Sequence, residues 1–124
     1  MDQEILVSGG HALVKAMDDS GLTPRLAMWV HNTDTDTWKL WLAPPPGLTD
    51  KHNFYRKLSE IVSKNRNQLS GLESSDTEMI SDSHPAVKGL KTFINAPGLS
   101  NIAFKGNMFN GFYLPDGIII RSDL

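Results

Sequence analysis

Cysteine is absent from the 124 residues. Disulfides, thiolate catalysis and cysteine-type zinc sites are thereby excluded, and a reducing compartment is the natural expectation. Excess charge of either sign is also missing. The formal balance of −2 is unlike that of a dedicated nucleic-acid binder, which draws most of its affinity from neutralising phosphates. No run approaches the ~20 apolar residues of a membrane helix. Met1-Asp2-Gln3-Glu4 is acidic where a signal peptide needs positive charge, and Ile5-Leu6-Val7 is too short for its apolar segment. A cytoplasmic protein with no membrane partner is expected.

Catalytic spacings are lacking too. No P-loop and no G-x-G-x-x-G occurs. Ser8-Gly9-Gly10-His11 has neither the spacing nor the preceding strand of a nucleophile elbow. His11, His31, His52 and His84 fall at no metal-binding spacing. His31-Asn32-Thr33 matches one half of a two-histidine phosphodiesterase signature, but no second H-x-[ST] follows any other histidine. Asn32, Asp34 and Asp36 alternate like calcium ligands, yet the glycine and the twelfth-position glutamate of an EF-hand are missing. These residues suit a turn between strands, so no metal and no cofactor is expected.

What is present is an ordinary globular composition, 40% hydrophobic and 21% charged. At this length, folding hides roughly two-thirds of the chain's surface. Leu6, Leu13, Val14 and Met17 mark one face of a helix over Asp2 to Asp19, with Gly21 at its C′ position. Gly9-Gly10 costs about 1 kcal/mol per glycine there, which predicts a late start or a bend. Two alternating runs, Arg25 to Asn32 and Thr37 to Ala43, read as a hairpin. An odd loop would pair Val30 with Leu40, Met28 with Leu42 and Trp29 with Trp41, giving one uniformly aliphatic face. That register is the expectation.

Beyond Pro44-Pro45-Pro46-Gly47, the stripe Phe54, Leu58, Ile61, Val62 predicts a helix over Asp50 to Asn67, with Arg56, Glu60 and Lys64 outside. A short strand over Thr77 to Ser81 follows. Ser83-His84-Pro85 opens a third helix, with serine as N-cap, Val87, Leu90 and Ile94 inward, and Pro97-Gly98 as its stop. Asn101 to Lys105, Met108 to Leu114 and Gly117 to Ser122 read as consecutive strands joined by tight turns at Gly106-Asn107 and Pro115-Asp116-Gly117. Ile118-Ile119-Ile120 is apolar on both faces and belongs at a sheet centre. The whole predicts one compact α+β domain spanning 1–124: a mostly antiparallel sheet of about five to six strands with two to three helices packed on it.

Two surface features bear on function. Lys51, Arg56, Lys57, Lys64 and Arg66 face only Glu60 across 51–67, a local surplus of four positive charges. Such a helix can dock on phosphate, with Phe54 and Tyr55 stacking on bases. The next stretch carries Glu73, Asp76, Glu78 and Asp82 and would repel a polyanion, so a solvated helix face is preferred. The second feature is aromatic. If the aliphatic hairpin face meets the helices, Trp29 and Trp41 point away with His31 and Lys39, and tryptophan is enriched at interface hot spots.

The leading expectation is therefore a non-enzymatic interaction module that forms a homodimer or binds a protein partner through Trp29, Trp41, His31 and Lys39. A small-ligand protein or hydrolase using His31, Asp34 or Asp36 at the hairpin end comes second. A nucleic-acid accessory protein using Lys51, Arg56, Lys57, Lys64 and Arg66 comes third. No small molecule is singled out.

Overall fold

A computed structural model describes residues 3–81, 83–109 and 111–124. The expected helix start at Asp2, the charge of Asp82 and position 110 of the expected 108–114 strand lie outside them. The elements run α1 (Gln3–Asp19), β1 (Leu26–Asn32), β2 (Thr37–Ala43), α2 (Lys51–Lys64), β3 (Thr77–Met79), α3 (Pro85–Phe93), β4 (Ile102–Phe104), β5 (Asn107–Phe109), β6 (Phe112–Leu114) and β7 (Gly117–Ser122). Among the described residues there are three α-helices and a five-stranded sheet of order β3-β2-β1-β7-β4, with β5-β6 as a separate pair. Only the β2–β3 pairing is parallel. The expected α+β architecture is observed.

The sheet is covered on both faces, and this decides its register. One core joins α1 and α2 to Ala27, Trp29, Leu40, Leu42, Ile118 and Ile120. The other joins α3, through Ala86, Val87 and Leu90, to Leu26, Met28, Val30 and Ile119. Five consecutive residues, Leu26 to Val30, are therefore buried. Each apolar side chain has a core to enter whichever way it points, so no uniformly aliphatic face is required. The hairpin accordingly takes the even register, Trp29 opposite Leu40, Met28 opposite Trp41, Val30 opposite Lys39 and His31 opposite Trp38. The odd loop is incorrect, and Trp29 and Trp41 lie on opposite faces. Ile118-Ile119-Ile120 does run through an inner strand, between β1 and β4.

The other departures have equally local reasons. Gly9 and Gly10 neither delay nor interrupt α1; both are buried where neighbours come close. A Cβ on Gly9 would stand 3.0 Å from the Leu69 carbonyl oxygen, and one on Gly10 3.0 Å from Trp29 Nε1. Pro85 occupies the first turn of α3, so the residue before it must cap: His84, not Ser83, accepts the Ala86 N–H on Nδ1 at 3.1 Å. The helix ends at Phe93 rather than at Pro97, because Ala96 exchanges backbone bonds of 2.7 and 3.0 Å with Ser122. The strand expected over 108–114 is instead two short ones, β5 and β6, paired with each other around Gly111 at φ +77°. The pairings implied by the turns at 106–107 and 115–117 do not form, since β1 and β4 already occupy both sides of β7.

A one-residue bulge shifts the β1–β7 register between Ala27 and Met28. Such a bulge re-aims side chains. Arg121, opposite Ala27, reaches Asp18 of α1 with two bonds of 2.7 and 2.8 Å, and only 8% of its side chain is exposed. Its Nε has no hydrogen-bond partner among the described residues. The hydrogen bonds from Arg121 hold the Asp18 carboxyl below its ordinary range, outweighing the opposing effect of burial, with the guanidinium charge and a Thr23 bond adding to the shift.

Two outcomes follow for stability. Gly10→Leu should lose about 3 kcal/mol in urea melts, although leucine is the better helix former, because a filled contact has to open. Arg121→Met should cost about 2 kcal/mol at neutral pH. Asp18 titrates lower when folded, so the pair's contribution is complete above the unfolded carboxyl range near pH 3.8 and fades as pH falls through the folded value. The difference between wild type and variant should thus be flat from about pH 5 to 8 and shrink below about pH 4. A gap that stays constant into acid would contradict the ion pair.

Candidate functional site

The far end of the β1–β2 hairpin is exposed from Asn32 to Thr37, and His31, Asp34, Asp36 and Lys39 lie in or beside it. The turn itself is built as its residue types suggest. Asn32 Oδ1 accepts the Asp34 and Thr35 N–H groups at 3.0 and 3.4 Å, and Asp36 takes φ +51°, a conformation that aspartate tolerates. Asp36 Oδ1 lies 2.8 Å from His31 Nε2. One face of that imidazole stacks on Trp38 with centroids 4.8 Å apart. Asp34 is exposed and contributes its backbone to the Asn32 turn.

On the α3 side of the sheet, Trp41, His31 and Lys39 line one cleft of about 330 Å³. Trp29, the fourth residue of the expected interface, does not belong to it. It is 3% exposed, lies against α1, and donates its indole N–H to the Leu6 carbonyl at 2.7 Å. A buried, hydrogen-bonded indole is a core residue. Its place in the partner surface is therefore withdrawn.

The cleft's opposite wall comes from residues that sequence reasoning passed over. Trp41 meets His84 edge-on at 5.3 Å, and His84 meets Phe112 edge-on at 4.7 Å. Phe112 and Tyr113 of β6 both line the cleft. Met108 and Tyr113 pair across the β5–β6 hairpin and are 54% and 58% exposed. The available signal was the run Phe112-Tyr113-Leu114, read only as a strand. Lys39 brings one positive charge, and Asp34 and Glu78 two negative ones, to the same cleft, and the Lys39 ammonium donates to the Ser75 carbonyl.

Of the cationic residues of 51–67, Lys57 and Lys64 line one recess with Glu60. Arg56 bonds Asn53 at 2.8 Å and Glu60 at 3.4 Å. Arg66 grips both carboxylate oxygens of Glu73, at 2.6 and 2.8 Å. Lys51, Lys57 and Lys64 are exposed. Phe54 is fully buried, and the Tyr55 hydroxyl accepts the Met79 N–H at 2.7 Å. The two rings considered as base-stacking platforms are thus engaged inside the fold. No group of three His, Asp or Glu able to hold a metal occurs among the described residues, and no helix there is long and apolar enough to cross a membrane.

If the 32–36 segment is a turn and not a calcium loop, Asn32→Ala should cost about 1 kcal/mol by freeing two backbone donors. Melting curves of the wild type with calcium and with EDTA should superimpose. A rise of several degrees with calcium would restore the ligand reading of Asp34 and Asp36.

No protein-family model, curated protein or solved structure matches this chain, so its function has to be argued from the geometry of the site.

Proposed function

We propose that the protein is a non-enzymatic interaction module that self-associates through the cleft bearing Trp41 and the β5–β6 hairpin beside it. The observation that carries this reading is the exposed Met108–Tyr113 pair, flanked by the ring series Phe112, His84, Trp41. Large apolar side chains on the surface of a single copy favour burial against another surface. Aromatic and methionine side chains are also those enriched at protein interfaces. A second copy is the occupant that the charges suit. A twofold contact requires a surface complementary to itself, and a cleft holding Lys39 together with Asp34 and Glu78 can set the ammonium of one copy against a carboxylate of the other across the axis.

Light scattering at about 50 µM should give the mass of a dimer. The double variant Met108→Glu, Tyr113→Glu should be a folded monomer, because both side chains are largely exposed in one copy and a surface change of this kind alters stability by only about 0.5 kcal/mol each. A monomeric wild type, or a double variant that stays dimeric, would remove this reading.

A further inference from the structure

The opposite face of the sheet carries a second feature, independent of the proposed dimer surface. A slot of about 240 Å³ opens between the start of α1, the hairpin end and the turn at 69–72. Its floor includes Trp29, and Trp38 lines it as well. The Trp29 N–H is already committed to Leu6 and only 3% of the residue is exposed, so the indole presents to the slot a small apolar part of its ring. Trp38 is braced on one face by His31, which is itself bonded to Asp36. The ring is thereby held in place without help from a ligand.

The remaining wall is made by a local device. Leu69 and Leu72 are both buried, and the Leu72 N–H closes a turn on the Leu69 carbonyl at 3.0 Å. Between them, Ser70 and Gly71 both take positive φ, +54° and +86°. Such a conformation at serine costs about 1 kcal/mol or more, and it turns both leucines inward beneath α1. Gly9 completes the fit, since a Cβ there would meet the Leu69 carbonyl oxygen at 3.0 Å.

Charge restricts what can enter. Among the described residues Asp76 is the one ionisable side chain in the lining, and no lysine or arginine contributes to it. Asp76 Oδ2 accepts the Glu73 N–H, which holds the carboxylate at the rim. The nearest lysine in the hairpin, Lys39, is tied to the Ser75 carbonyl. An anion would meet a carboxylate with no cationic side chain among the described lining residues, whereas a cation would meet a carboxylate and indole rings together. Size sets the rest. A dry apolar cavity of about 150 Å³ holds one benzene ring, so this slot suits one to two fused rings.

From these features we infer that the slot is a binding site for a compact aromatic amine: a flat ring system between Trp29 and Trp38 with its ammonium group toward Asp76. Three probes of one shape separate the parts of this assignment, namely tryptamine, neutral indole and anionic indole-3-acetate. Titration should be followed by the indole N–H resonances of the three tryptophans. Those of Trp29 and Trp38 should move on addition of tryptamine, while that of Trp41, identified with Trp41→Phe, stays in place. Tryptamine should bind about tenfold more tightly than indole-3-acetate. Asp76→Asn, which keeps an oxygen for the Glu73 N–H, should bring the two within about twofold. Trp38→Leu should weaken tryptamine about tenfold while its melting temperature confirms a folded protein. The assignment fails if no Trp29 or Trp38 shift appears by about 5 mM, if indole-3-acetate binds as tightly as tryptamine, or if Trp38→Leu binds unchanged.

Discussion

Burial of β1 and β7 from both sides is the constraint on which the rest of the structure depends. Leu26 to Val30 and Gly117 to Ser122 are buried at every position, so each strand must supply an apolar side chain to two cores at once. Two layers are then needed. The longer helices α1 and α2 form one, while α3 with β6 forms the other. A one-sided sheet would expose half of these residues, and each large apolar side chain left in water forfeits roughly 1.5–3 kcal/mol.

The same constraint locates the functional candidates. The helices cover the middle of the sheet, but the hairpin continues to an exposed end at Thr33–Asp36. On each side of that exposed end a cleft is left between strand and covering layer. Because strand side chains alternate, Trp29 and Trp38 are presented to one cleft while Lys39 and Trp41 serve the other. Two surfaces of different character therefore share one hairpin. One is a wide mixed patch of rings with charges of both signs. The other is a narrow apolar slot with a single carboxylate.

Polar groups inside the fold act as fasteners between layers. Arg121 ties β7 to α1 through Asp18, and Ser122 Oγ on the next position donates to the Ile94 carbonyl on the α3 side. Tyr55 closes the outer edge of β3 by accepting the Met79 N–H. An exposed strand edge invites pairing with another chain, and a side-chain hydroxyl blunts it here.

The sequence by itself determined the class of fold, most element positions and the inner place of Ile118–Ile120. These follow from signals acting over a few residues: the 3.6-residue stripe of Phe54, Leu58, Ile61 and Val62, and the alternation in 25–32 and 37–43. Part of the candidate site was legible in the same way, since His31, Lys39 and Trp41 were singled out and do line one cleft. The hairpin register was not legible, because matching faces identifies a register only when one face is buried, and here both are. Trp29 was assigned to the wrong side for that reason. The slot and the ring series were decided by tertiary structure alone. Gly9, Trp38 and the segment from Leu69 to Asp76 lie far apart along the chain, as do Trp41, His84 and Phe112. Long-range packing brings each set together, and no local propensity encodes that.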